Sequence, residues 1–308
     1  MDNLTTAQHY TLTNITPELV TRWASYIDAS ERTVDTYTKG VKQFFIFIFD
    51  RNITQPKRED VISYRDYLLT THKPTTVQIY LESVKIFFRW TAQEGLYPNI
   101  ADRVKGVRLD KEHKKDYLTT AQVKRLLSSI DRTTVQGLRD YAILSLMVTT
   151  GLRTISIINA NIEDIRTAGD STALYYKGKG HNEKAIYVKL APPVEDAIRD
   201  YLSTRKGTSA SDPLFTSEAH RNTGERLTTR SIRRIVKTRF LNVGLNSDRI
   251  TAHSLRHTAG TLNLLNGGTL EETRQLLDHS NINTTLIYSH ALERANNNSE
   301  QRIANAIF

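Results

Sequence analysis

ALYYKGKGHNEKAIYVKL, Ala173 to Leu190, is the stretch that decides the fold class. Its apolar residues alternate in patches on either side of a turn-rich centre, GKGHNEK, which is a β-hairpin signal with small neighbouring strands. On both sides of it the apolar residues return to helical spacing. Upstream lie LTTAQVKRLLSSI and GLRDYAILSLMVTTG, the second closing at Gly151. Downstream come PPVEDAIRDYLSTRKG, TTRSIRRIVKTRFLNVG, HSLRHTAGTLNLLNGG and TLEETRQLLDHS, where Thr269 and Glu272 have capping-box spacing. The expected fold is therefore mainly α (α+β), with one small antiparallel sheet inside a larger helical domain.

The first hundred residues read as a separate four-helix unit. TPELVTRWASYID starts after Thr16 with Pro17 in its first turn, and ERTVDTYTKGVKQFFIFIFD, REDVISYRDYLLT and TTVQIYLESVKIFFRWTAQEG follow, the last closing at Gly95. Periodicity then lapses in RVKGVRLDKEHKKDY, which sets six basic residues against Asp110, Glu112 and Asp116. The expected organisation is a helical domain over residues 1–102, a basic linker over 103–116 and a second domain over 117–308. A linker of this charge is a solvated connector that is also suited to lie along a phosphate backbone.

Composition narrows the chemistry. The 308 residues are 39% apolar and 24% charged, with no apolar run near the roughly 20 residues of a membrane span. The start, MDNLTTAQHYTLTNITPEL, has neither the basic region nor the apolar core of a secretory signal, so a cytoplasmic location is expected. Cysteine is absent, which removes disulfides, thiolate nucleophiles and Cys-based zinc sites together. Lys plus Arg number 42 against 33 Asp plus Glu, a formal net charge of +9, which makes a polyanion a sensible partner.

Four polar constellations fall in the second domain. Arg153, in TTGLRT, follows an apolar helix and its closing glycine, so a guanidinium stands at the edge of a buried element. Lys179 lies between Gly178 and Gly180 at the hairpin tip, where an ammonium reaches solvent or a groove and can donate a proton. In HSLRH, His253, Arg256 and His257 share one helical face. The two histidines also have the separation of a zinc pair, but the zinc-peptidase motif needs Glu after its first histidine and here Ser254 stands there. In LDHSNINTTLIYSH, His279 and Tyr288 would fall on opposite sides of one continuous helix. SNIN is a turn signal that breaks it, and Thr284 or Thr285 then starts a short helix carrying Tyr288. Arg153, Lys179, His253, Arg256 and His279 are hydrogen-bond donors to an anion, accompanied by one phenol. No P-loop or carboxylate metal cage accompanies them, so no cofactor and no metal is expected. The set suits metal-free phosphoryl transfer to a hydroxyl nucleophile.

The order TGLR, GKG, HxxRH and LxHxxxxTTxxY resembles the tyrosine recombinases, the phage-integrase and Xer-type site-specific recombinases, and the resemblance covers close to the whole chain. It implies that Tyr288 attacks the scissile phosphate of double-stranded DNA to form a 3′-phosphotyrosyl link and release a 5′-hydroxyl. Lys179 would protonate the leaving oxygen, Arg153 and Arg256 would clamp the phosphate, and His253 and His279 would supply a proton relay and a further hydrogen bond. Strand exchange would pass through a Holliday junction without metal or ATP. Residues 1–102 would be the core-binding DNA clamp, and 117–308 the catalytic domain with a C-terminal interaction segment. The protein would work as a homo-oligomer on DNA, a tetramer, or with a paralogous recombinase, nucleoid-associated when bound. The alternatives are a catalytically impaired DNA-binding regulator on the same fold and a type IB topoisomerase-like relaxing enzyme.

Two positions depart from the family pattern. Ser156 stands where the family has an acidic residue behind the active site, and Asp278 stands where it has glycine. Asp278 would lower the local positive potential or strain a tight backbone position; the pair tilts the reading toward a mobile element. The C-terminal RANNNSEQRIANAIF has an asparagine-rich hinge and a short amphipathic stretch with Ile303, Ala304, Ile307 and Phe308, which packs either on its own domain or on a neighbouring protomer.

Overall fold

The computed structural model describes residues 17–109, 116–178, 183–286, 288 and 297–308. The chain separates into two compact units, Met1–Glu112 and His113–Phe308.

The first unit is built from four helices, α1 (Pro17–Tyr26), α2 (Glu31–Phe49), α3 (Arg58–Thr71) and α4 (Pro74–Gln93). Ser30 caps α2 by accepting from the Thr33 amide, and Pro74 opens α4, where a missing N–H costs nothing. Aromatic edges hold the core: Phe44 meets Tyr64 and Phe88 edge-on at 5.2 and 5.6 Å, and Trp23 meets Phe87 at 5.4 Å. Gly40 lets α2 approach α4, since a Cβ there would lie 2.5 Å from the Ser83 hydroxyl. The chain after α4 stays packed on this unit: Val104 is buried, and the Val107 amide donates to the Gln78 side chain at 3.0 Å. Asp116 instead belongs to the second unit through Arg249, whose Nε lies 3.0 Å from its carboxylate. Both ends of the basic segment 103–116 are thus docked, and its residues 110–115 lie outside the described ones.

The second unit is mainly helical: α5 (Thr120–Ser128), α6 (Val135–Thr150), α7 (Thr154–Ile158), α8 (Pro192–Ser203), α9 (Thr229–Asn242), α10 (Ala252–Leu265), α11 (Leu270–Leu276) and α12 (Ser299–Ile307). Its sheet has three antiparallel strands in chain order, β1 (Ile165–Ala168), β2 (Ser171–Tyr176) and β3 (Ile186–Lys189). Tyr176 pairs with Ile186 in register, so the hairpin reading of GKGHNEK holds at both strand ends. The alternation has a physical outcome, with Leu174, Tyr176 and Val188 buried in the same core as α6 and α8. Helix α10 is enclosed on nearly every side from Ala252 to Thr261, which is why its polar residues must find partners. The capping box expected at Thr269 and Glu272 opens α11. Helix α12 buries none of its residues and leaves Ile303, Ile307 and Phe308 exposed.

Candidate active site

Three pieces of backbone converge at the C-terminus of α6. Gly151 ends that helix in the left-handed conformation (φ 64°), a position that favours glycine, and a Cβ there would meet Leu277 Cδ2 at 2.5 Å. Gly260 gives α10 the same closeness to that side chain: a Cβ would lie 2.9 Å from Leu277 Cδ1 and 3.4 Å from the Tyr288 ring. Leu277 is fully buried between them. The α6 end, α10 and the turn after α11 are therefore locked together, and each carries one part of the site.

The two arginines sit at this junction. Arg256, on α10, is 4% exposed and donates Nη1–H to the Gly151 carbonyl at 2.7 Å and Nη2–H to the Leu277 carbonyl. Burial, then the neighbouring Arg153 charge, lowers its pKa to about 10, which leaves it charged at neutral pH. Arg153 precedes α7 and donates to Asp278 twice, Nη1–H to the carboxylate at 3.2 Å and Nη2–H to the backbone carbonyl at 3.3 Å. Two guanidiniums are thus oriented by three carbonyls and one carboxylate, with N–H groups left over for an anion.

His279 follows Asp278 and is 6% exposed. Its Nδ1 lies 2.9 Å from the Thr285 hydroxyl. Its backbone is clamped by Arg274, which donates Nη1–H to the His279 carbonyl at 2.9 Å and is itself held by Glu271. Burial first, then Arg256 and Arg153, lowers the His279 pKa to about 4, so the imidazole is neutral at pH 7. Tyr288 is 5% exposed and packs its ring on Ala259 and Leu277. The His279 ring lies parallel to it at 6.4 Å, and the His257 ring is tilted against it at 5.3 Å. Burial raises the phenol pKa, and the Arg256 and Arg153 charges oppose that rise. His253 is exposed and meets His257 edge-on at 4.6 Å, which links it to the phenol through one intervening imidazole.

The structure brings Arg153, His253, Arg256, His279 and Tyr288 into one cluster. Lys179 lies outside the described residues. The short helix carrying Tyr288 starts at residue 283, one position before Thr284, because the Asn281 side chain accepts from the Asn283 amide at 2.8 Å and opens the turn there. Thr285 is released to bond His279. Three neighbours were not singled out as site residues by the motifs. His257 was visible in the i, i+4 spacing of HSLRH. Thr285 lies inside the quoted motif, where spacing gives no clue to its partner. Tyr176 carried no signal; its phenol is pushed to about 12 by burial, then by the Asp278 charge, against Arg256 and Arg153. Among the described residues no group of three or more His, Asp or Glu side chains is placed to hold a metal ion.

Comparison with known proteins matches this arrangement to a family. The model described as "Phage integrase family" covers residues 116–294, and "Phage integrase, N-terminal SAM-like domain" covers 21–96. "Tyrosine recombinase XerC" of Thermodesulfovibrio yellowstonii is 30% identical over 275 residues, 85% of this chain and 86% of that protein. "Tyrosine recombinase XerC" of Caldanaerobacter subterraneus subsp. tengcongensis is 36% identical over 177 residues, 56% of this chain and 47% of that protein. A solved structure of the XerH site-specific recombinase, a post-cleavage complex with its palindromic difH substrate, has the same fold. Its TM-score is 0.73 at 20% identity, over 90% of this chain and 83% of that one. The chain belongs to the phage integrase family and is a tyrosine-type recombinase.

Proposed function

We propose, with that membership as premise, that the chain is a site-specific DNA recombinase whose nucleophile is the Tyr288 phenol. Of the three readings drawn from the sequence, neither the binding regulator nor the topoisomerase-like enzyme gains support from its relatives. In the proposed reaction the Tyr288 oxygen forms a bond to phosphorus as the phosphorus–O5′ bond breaks, leaving a 3′-phosphotyrosyl link and a 5′-hydroxyl. The phenol gives up its proton in attack, and Lys179 supplies one to the departing O5′. A 5′-hydroxyl from the partner duplex reverses these steps, so the phosphodiester is restored through a Holliday junction.

Arg153 and Arg256 take the non-bridging oxygens, where charge builds in the transition state. Their bonds to backbone carbonyls hold both guanidiniums in place before a phosphate enters. Neutral His279 fits a donor role: with Thr285 donating to Nδ1, Nε2 carries the proton and points its N–H at the phosphate. His253 serves as the outer end of a proton relay. The observation that carries the reading is the convergence of two guanidiniums and a phenol on the single junction of Gly151, Leu277 and Gly260.

Residues 1–102 act as the DNA clamp, and the basic segment 103–116 contacts the phosphate backbone. The working form is a tetramer of this chain, or of this chain with a paralogue, on two duplexes in the cytoplasm. The exposed face of α12 docks on a neighbouring protomer in it. Incubation with nicked suicide duplexes without metal, resolved on a denaturing gel, tests the proposal. A covalent adduct is expected with the wild type and none with Tyr288→Phe; an adduct that persists in the variant refutes the assignment.

A further inference from the structure

We infer that Asp278 is an internal stand-in for the substrate's phosphate: its carboxylate occupies Arg153 in the DNA-free protein and has to release it when a phosphodiester enters. This rests on the proposed reaction and adds a residue that sets both the anion affinity and the rate of the site.

The backbone places the carboxylate. Asp278 lies at φ 49°, in the left-handed region that aspartate and asparagine tolerate better than most residues. The turn imposes this conformation through the Asp278 amide on the Gln275 carbonyl at 3.0 Å and the His279 amide on the Arg274 carbonyl at 3.1 Å. From there the side chain reaches Arg153.

What it does there follows from the bonds. Arg153 makes two contacts to this residue, and the one to the backbone carbonyl would survive any substitution. Orientation of the guanidinium therefore does not require the carboxylate; what the carboxylate adds is charge. At 3.2 Å its single contact is longer than a tight charge-assisted bond, and both side chains are open to solvent, Arg153 by 32% and Asp278 by 22%. The contact is one that an incoming anion can displace.

Charge gives the direction of the effect. Among the described residues, Asp278 is the one carboxylate set against Arg153 and Arg256, since Arg274 is taken by Glu271, and the His279 imidazole is neutral. A phosphodiester brings one negative charge and its transition state about two. A fixed carboxylate beside them opposes both, most strongly in the transition state, so removing it speeds cleavage as well as binding.

The test uses the full chain and Asp278→Asn, which keeps the shape and the left-handed preference while removing the charge. Sulfate, a tetrahedral anion, is titrated calorimetrically without DNA, and adduct formation is timed on a suicide duplex. The expected result is sulfate binding about tenfold tighter and adduct formation about tenfold faster, a difference of about 1.4 kcal/mol. The sulfate gain should vanish when Arg153→Gln is added, and Asp278→Gly should reproduce both gains. Unchanged sulfate affinity, or slower adduct formation by both variants, overturns the inference. Tighter sulfate binding with no adduct from any protein, wild type included, supports the displacement and counts against the recombinase reading.

Discussion

Two clusters in the second unit are built from the same three groups, two arginines and one aspartate, and do opposite things with them. In one, Asp140 lies between Arg139 and Arg239, taking Nε and Nη2 of Arg139 on one oxygen at 3.0 and 2.7 Å and those of Arg239 on the other at 2.9 and 2.6 Å. That aspartate is 2% exposed, and Arg139 spends a further N–H on the Thr216 carbonyl at 3.2 Å. In the other, among the described residues, Asp278 touches only Arg153 and only once through its carboxylate, while Arg256 leans on backbone carbonyls. Aspartate bonded on both oxygens is a fixed counter-ion that joins α6 to α9. Aspartate bonded on one, at an open edge, leaves positive charge unshared. The difference between this structural ion cluster and the proposed functional one is how completely the carboxylate is used.

Breaking the closed cluster should cost the most. Asp140→Ala strands two guanidiniums in a buried place and is expected to lower stability by about 3–5 kcal/mol in chemical denaturation, with adduct formation per folded molecule unchanged. Breaking the open one should cost chemistry more than folding. Arg256→Lys, which cannot span the Gly151 and Leu277 carbonyls and a phosphate together, is expected to slow adduct formation by about 10²–10³-fold, measured per folded molecule. If Asp140→Ala slowed adduct formation as much, the division of labour would be wrong.

The acid dependence of stability sharpens the contrast. His279 has a folded pKa of about 4 against an ordinary value of 6.5, so the unfolded chain takes up its proton first as pH falls. Its contribution is fully present above about pH 6.5 and is lost on the way down to about pH 4, a loss of about 3 kcal/mol. His279→Gln should flatten the stability profile in that window; an unchanged slope would show that the imidazole is not held neutral by burial. The smallest effect is expected at Ser156, buried as the third residue of α7, three positions beyond Arg153. Ser156→Glu should leave adduct formation unchanged or raise it a few-fold, and a clear loss would show that a carboxylate at this position does not support the Arg153 guanidinium.

Much of this was legible in the residues. The hairpin at 173–190, the capping box at Thr269 and Glu272, and the closing glycine at 151 are local signals, and each stands in the structure where the residues place it. The proposed site residues are legible as an ordered set of motifs. Their geometry was not, and the nine residues from His279 to Tyr288 show why. Helical spacing alone would have put the two rings on opposite sides, whereas the Asn281 turn folds the chain back so that they lie parallel.

By itself the sequence determined the helical spacing, the hairpin, the caps and the inventory of donors with one phenol, because these depend on neighbours within a few positions. Only the tertiary structure decided which arginine has its carboxylate shared with a second arginine and which stands at an open edge, where we propose that it binds an anion. Arg139 and Arg153 both lie at the α6 region of the chain, and nothing local separates them. Arg139 meets a carboxylate that Arg239 completes from 99 residues away, and Arg153 meets one 125 residues away that no second cation completes among the described residues. Charge compensation is set by what packing brings within hydrogen-bond reach, and that is a property of the fold.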